Sequence, residues 1–336
     1  MGRHLAGMDG RGLLRLVMRK PLKKLPFFLP FGGCRGRCVY CNQQTITGKE
    51  CLPSLDFIRS VLEKLDEPRE VCYFGGSFCR FGCDTVTSYL DAVKECAPAG
   101  SRIRFSTYPG DLANADFRKH ILSYPIACIE LGVPSLDPEV LRFCKREANP
   151  DEIIEGLTEL RNESAPLAVQ MMIGLPSQTR ESSLADLKRI ASVKGPQSWE
   201  LRLYPCLVIE NTELHTMMNE GKYKPLDVAE AVAWGGAFMR EALSWGFVPI
   251  RAGLQESAAL AQNVRGGPHH PALGELIFSE ALVLELFRIN PSGPWVVPAR
   301  HISKFTGHGG YGLRRLAELS GYDVETMGSH ISFFPN

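Results

Sequence analysis

The sequence predicts an α/β fold built on a parallel sheet, and two observations carry that expectation. Six short β-prone runs, PFFLPF (26–31), VCYF (71–74), RIRFST (102–107), IACIEL (126–131), LAVQMMI (167–173) and WELRLY (199–204), alternate with helix-like stretches. Such a repeat implies right-handed crossovers, which make neighbouring strands parallel and gather the functional loops at the strands' carboxyl ends. The chemically conspicuous residues fall at those ends: three cysteines after the first run, Gly75-Gly76 after the second, and Glu130 closing the fourth. The pattern alone leaves open whether the sheet is flat or closes towards a barrel. With 336 residues, 44% hydrophobic and 22% charged, the chain can bury a large core and is expected to form one large domain with a smaller one attached.

In chain order, residues 1–24 come first, with Arg3, Arg11, Arg15, Arg19, Lys20, Lys23 and Lys24 against the single acid Asp9. They read as a basic N-terminal arm, either a solvated tail or a strip able to lie on RNA phosphates; Met18 offers a second start. A helix is expected from about Ser54 to Asp66, because Leu55, Ile58, Leu62 and Leu65 share one face and Ser54 suits its N-cap. His269 and His270, in a proline-flanked loop, read as structural or pocket-gating residues. Near the end, Gly307-His308-Gly309-Gly310 stands between two helical stretches. It is either a glycine-rich connection or a Gly-x-x-Gly clamp on a nucleic-acid backbone, with Lys304, Arg314 and Arg315 supplying cations.

A net charge of +1 gives no global attraction to polyanions, so any RNA would be held by local patches. Eleven cysteines form no disulfide-like framework, and no stretch has the make-up of a secretory leader or a membrane span. The expectation is a protein of the reducing cytoplasm without a membrane partner.

Cys34, Cys38 and Cys41 lie within one short loop straight after the first β-prone run. A structural zinc ion wants four closed ligands, whereas a 4Fe-4S cubane held by three cysteines keeps one iron open to a small molecule. The count favours the open cluster; Cys51 is the residue that could close a zinc site instead.

The Cys-x-x-x-Cys-x-x-Cys spacing, with Tyr40 before the last cysteine, resembles the signature of the radical SAM superfamily. The resemblance implies a partial (β/α)6 TIM-like barrel over residues 25–206 and a smaller α+β C-terminal extension over 207–336. It also implies that Cys34, Cys38 and Cys41 hold a 4Fe-4S cluster whose free iron chelates S-adenosylmethionine, and that a reducing electron donor is needed to cleave it to a 5′-deoxyadenosyl radical. Gly75-Gly76-Ser77-Phe78 resembles the glycine motif that receives the methionine amino group. Glu130-Leu131-Gly132-Val133-Pro134-Ser135-Leu136 and Cys144-Lys145-Arg146 resemble the branch containing the catalytic subunit of Elongator. Arg146 would then meet the cofactor's carboxylate, Glu130 and Gln170 would be polar contacts within the barrel, Ile173 would border adenine and ribose, and Ser106 would make a weaker ribose contact.

Leu203-Tyr204-Pro205-Cys206 and Gly267-Pro268-His269-His270-Pro271-Ala272 extend the Elongator-like resemblance through residue 285 or so. The departures are Pro134 before Ser135, Tyr108-Pro109 after the third strand, and Glu147-Ala148-Asn149 after Arg146. The chain shows no acetyltransferase module. A tRNA substrate is implied by the branch, with a porphyrin-type small molecule and a zinc-stabilised, non-catalytic RNA-binding protein as the alternatives.

Overall fold

The computed structural model of the chain describes residues 22–34, 36–49 and 51–334, so most of the basic arm, residues 1–21, lies outside the described residues. Strand β1 (Lys24–Leu29) leads to the cysteine loop and α1 (Gln43–Thr47), then α2 (Leu55–Leu62), β2 (Glu70–Gly75), α3 (Cys83–Cys96), β3 (Arg102–Thr107) and α4 (Ala115–Leu122). Next come β4 (Ile126–Gly132), α5 (Pro138–Phe143), α6 (Pro150–Arg161), β5 (Leu167–Ile173), α7 (Arg180–Lys194) and β6 (Glu200–Pro205). The second part holds β7 (Val208–Ile209), α8 (Glu213–Asn219), α9 (Val228–Ser244), β8 (Val248–Ala252), α10 (Ala258–Asn263), β9 (Val264–Gly266) and α11 (Leu273–Ile289). The last elements are β10 (Trp295–Pro298), α12 (Ile302–Thr306), α13 (Tyr311–Ser320), α14 (Met327–His330) and β11 (Ile331–Phe334).

Among the described residues, seven strands form one parallel sheet in the order β1-β2-β3-β4-β5-β6-β8. Six follow the β-prone runs. The seventh, β8, was not expected, because its sequence VPIRA carries Pro249 and little apolar periodicity. It is the sheet's outer strand, where a missing N–H is tolerated. The sheet curls into a half-barrel whose two edges are stitched near the mouth. Leu214 N donates to Val39 O at 2.8 Å, and Asn42 Nδ2 to Glu210 O at 3.3 Å.

Because strand side chains alternate faces, each strand presents one apolar and one polar set. Val71, Tyr73, Ile103, Phe105, Ile129, Leu131, Val169, Met171, Leu201 and Leu203 are buried in the main core, under the helices. The opposite, concave face carries Arg104, Ser106, Glu130, Gln170 and Arg202. A half-barrel with a polar lining can receive a polar molecule; a fully apolar one could not without stranding its groups.

Helix α2 is capped as expected, Phe57 N donating to Ser54 Oγ at 3.2 Å, but it ends at Leu62. Pro68 lies a few residues on, and Leu65 reaches the core from a turn instead, its N–H on Leu62 O at 3.2 Å. The expected boundary at 206/207 falls in the loop after β6, yet β8 rejoins the sheet, and α9 and α11 pack into the main core. A separate small core begins within α11, where Val283 and Leu286 meet Trp295, Val297, Phe305, Leu316, Met327 and Ile331.

The tail's Gly-rich turn does join two helices, α12 and α13, with Gly307, Gly309 and Gly310 all at positive φ. Its cations, however, are largely committed. Arg315 pairs with the buried Glu280, Nε to Oε2 at 3.1 Å, and Nη1 to Glu318 at 2.9 Å, while Tyr311 Oη donates to Glu280 at 2.8 Å. Arg314 Nη1 donates back to Gly309 O. Arg315 is therefore a helix-to-helix tie, which corrects its assignment as a phosphate contact. Lys23 likewise belongs to the folded part, 2.9 Å from Glu67, and Lys24 opens β1.

Candidate active site

The cysteine loop leaves β1 through a tight turn. Phe31 sits at φ 56° and Gly33 at φ 70°, with Gly32 N on Leu29 O at 3.0 Å and Cys34 N on Phe31 O at 3.1 Å. Gly32 and Gly33 then cross the Gly75-Gly76-Ser77 turn at backbone distance. A Cβ on Gly76 would lie 1.7 Å from Gly32 O, and one on Gly33 would lie 2.1 Å from Ser77 O. Ser77 N donates to Gly32 O at 2.7 Å. Packing between the two turns is thus enough to require glycine at 33 and 76.

Cys34, Cys38, Tyr40 and Cys41 line one cavity of about 90 Å³ with Ser77, Arg80, Tyr108 and Arg146. Val39 anchors the loop, its N–H on Cys144 O at 3.0 Å. Tyr40 packs beside Val39, Met172, Leu175 and Cys206 in an apolar cluster at the mouth. Burial pushes the Cys34 thiol up, and pushes Cys41 up to about 12 with Cys38 and Cys34 adding to it. Arg146 acts against both shifts, and its Nη1 lies 3.8 Å from Cys38 Sγ. Three thiolates here would need more positive charge than one guanidinium provides, which a bound metal centre would offer.

Among the described residues, no three His, Cys, Asp or Glu side chains are gathered as a single metal ion would need. Cys51, the fourth ligand of the zinc alternative, is exposed and lines no part of this cavity. By donor set and placement, the residues fit an open cluster.

Arg146 is held by its backbone N–H on Leu141 O at 2.9 Å and by Nη2 on Gly132 O at 3.2 Å. It is half-buried in the cavity wall, not a surface helix residue. Ser77 is braced by residues that sequence reasoning missed. Its Oγ donates to Asp111 and accepts from Tyr108 N at 2.8 Å; Asp111 also takes Arg80 Nε at 2.6 Å and Thr107 Oγ1 at 2.9 Å. The contacts join the loops that follow β2 and β3, so no local motif signals them.

Deeper in the half-barrel, Glu130 is fully buried and sits between two arginines. Arg104 Nη1 lies 2.9 Å and Arg202 Nη2 2.8 Å from its Oε1, and Gln170 Nε2 donates to Oε2 at 2.6 Å. Gln170 Nε2 also reaches Ser106 Oγ at 3.2 Å, while Glu200 takes Arg104 at 2.8 Å. Burial alone would push the Glu130 carboxyl up, but Arg202 and Arg104 overcome it and hold the group below its ordinary range. The structure therefore brings Ser106, Glu130 and Gln170 together. Ile173 stands apart: it is fully buried in the main core, on the face opposite Gln170, and Met172 is the residue that joins Tyr40 at the mouth. This corrects Ile173 as a cofactor-contacting side chain, since residues three apart on a strand face opposite ways.

A curled parallel half-barrel with a three-cysteine loop after its first strand defines a class. Family descriptions match the chain as "Radical SAM superfamily" over residues 28–190 and "Radical_SAM C-terminal domain" over residues 198–282, and the chain belongs to the radical SAM superfamily of enzymes. Within it, the likeness runs to Elongator-type members. The tRNA uridine(34) acetyltransferase of Dehalococcoides mccartyi is 23% identical over 251 residues, 62% of this chain and 52% of that protein. Elongator complex protein 3 of Homo sapiens is 28% identical over 116 residues, 34% of this chain and 21% of that protein. The solved structure of Methanocaldococcus infernus Elp3 superimposes with TM-score 0.59 at 20% identity, covering 79% of this chain and 63% of that one, which shows the shared fold. The chain spans about half, or less, of the length of the curated relatives it matches.

Proposed function

We propose that the chain is an S-adenosylmethionine-cleaving iron–sulfur enzyme acting on tRNA. The observation that carries the reading is the convergence of Cys34, Cys38 and Cys41 on one cavity beside the half-buried Arg146. When bound, a 4Fe-4S cluster and S-adenosylmethionine supply a 5′-deoxyadenosyl radical by one-electron reduction, so an external electron donor is required. The chain's own residues hold and shield. Cys34, Cys38 and Cys41 ligate, and Arg146 offsets thiolate charge and offers a fork to the cofactor's carboxylate. Gly75, Gly76 and Ser77 present backbone at the cavity edge, with Ser77 fixed by Asp111. Glu130 and Gln170, with Ser106, form a polar shelf for ribose, and Tyr40 keeps water from the thiols.

The tRNA part is supported by the relatives named for tRNA modification. Among the described residues, no helix is long and apolar enough to cross a membrane. The test is anaerobic reconstitution of the full chain, followed by iron and sulfide determination and by assay of 5′-deoxyadenosine with dithionite. A colourless protein binding one zinc and releasing no 5′-deoxyadenosine would overturn the enzymatic reading. Nucleoside mass spectrometry of tRNA from a deletion strain checks the substrate.

A further inference from the structure

A second cavity, about 420 Å³, opens where β6 and β8 end, on the same side of the sheet as the cysteine loop. Its volume falls in the range of small-molecule and cofactor sites. Leu260 of α10 and Leu273 and Phe278 of α11 contribute to its walls. Ile46 of α1 and Leu254 pack against one cluster of Leu207, Ile209 and Leu260, so the segment that follows the cysteine loop and this cavity share an apolar wall.

The polar groups are chemically distinct from those of the buried Glu130 network. The Arg251 side chain lines the cavity and has no hydrogen-bond or ion-pair partner among the described residues, whereas Arg202 on the adjacent strand β6 and Arg104 on β3 are both tied to Glu130. His270 Nδ1 accepts from Ala272 N at 3.0 Å, which leaves its Nε2 as the protonated, donating nitrogen. Of the two carboxylates at the rim, Glu256 is taken up by His269 at 3.0 Å, and Glu275 is exposed at the first turn of α11. An uncommitted planar fork beside an imidazole donor, backed by apolar walls, matches an oxyanion.

We propose that this cavity anchors the substrate through an oxyanion, a phosphate or a carboxylate, held by Arg251 and His270. Its role as a substrate site rests on the reading of the cysteine cavity given above. A nucleotide phosphate and a small-molecule carboxylate share this chemistry, and the experiment separates them. The reconstituted full chain, as wild type, Arg251→Met and Arg251→Lys, is titrated with bulk tRNA at several salt concentrations and with a tetracarboxylate porphyrin.

One probe binds wild type. Arg251→Met weakens that probe about tenfold or more, and Arg251→Lys recovers part of the loss. If the probe is tRNA, the slope of log affinity against log salt falls by about one in Arg251→Met, the signature of one lost phosphate contact, which a merely structural arginine would not produce. Iron content and melting temperature stay at wild-type values. Equal affinities of wild type and Arg251→Met for both probes overturn the proposal, as does absence of binding to either by wild type. Failure of the cysteine-cavity reading shows separately, as missing iron and sulfide, because this test reads binding and not turnover.

Discussion

Two glycine-rich loops with nearby cations look alike in sequence, the cysteine loop at 31–41 and the tail turn at 307–315, and they differ in what their ionisable groups do. In the first, Cys34, Cys38 and Cys41 face a cavity, and the cation beside them, Arg146, lies half-buried against a thiol. In the second, Arg315 is spent on Glu280 and Glu318, and Arg314 on the turn's own carbonyl. A site is marked by groups left without internal partners around a space; a joint is marked by groups that satisfy one another.

The sharpest way to break this contrast is to remove ligands. Single Cys→Ser changes at 34, 38 or 41 should abolish cluster assembly, while Cys51→Ser should leave iron and sulfide content unchanged; a full load in Cys38→Ser would erase the distinction between the loops. Next in size, Glu280→Ala strands Arg315 and Tyr311 and should cost about 2 to 3 kcal/mol of stability, seen in urea denaturation, with cluster content per folded molecule unaltered. Arg146→Ala should retain the cluster and weaken S-adenosylmethionine binding by about 1.5 to 3 kcal/mol, measured by 5′-deoxyadenosine yield at limiting cofactor.

The smallest effect expected is a pH dependence. Since the folded protein holds Glu130 below its ordinary range, its stabilisation is present above the unfolded value of about 4.3 and is lost as pH falls through the lower folded value. The stability gap between wild type and Glu130→Gln should therefore narrow below about pH 4. A gap constant down to pH 3 would mean that the carboxylate's charge is not what the arginines hold.

Much of the half-barrel was legible because alternation along six strands states both the strand and its two faces. β8 was not, since Pro249 disguises an outer strand whose reason for pairing lies in β6. The cysteines were legible from spacing alone, as three thiols in one loop need no distant help to be noticed. Asp111, Arg80 and Arg251 were silent, because each matters only through residues that folding brings alongside. Ile173 carried a signal that went unused: counting from Gln170 by twos along the strand arrives at Met172, on the same face, and passes over Ile173.

The stitching of the half-barrel's mouth also orders events during synthesis. Val39, between Cys38 and Cys41, donates its N–H to Cys144 O and accepts from Leu214 N, and Asn42 reaches Glu210 O. A nascent chain has therefore displayed all three thiols to the ribosome's surroundings long before the residues that fix their loop have left the exit tunnel. Until then the thiols are open to oxidants and stray metal ions. On the function proposed above, cluster delivery to a finished cradle awaits release of the chain at least through Leu214, and anything that guards those cysteines has to act in that interval.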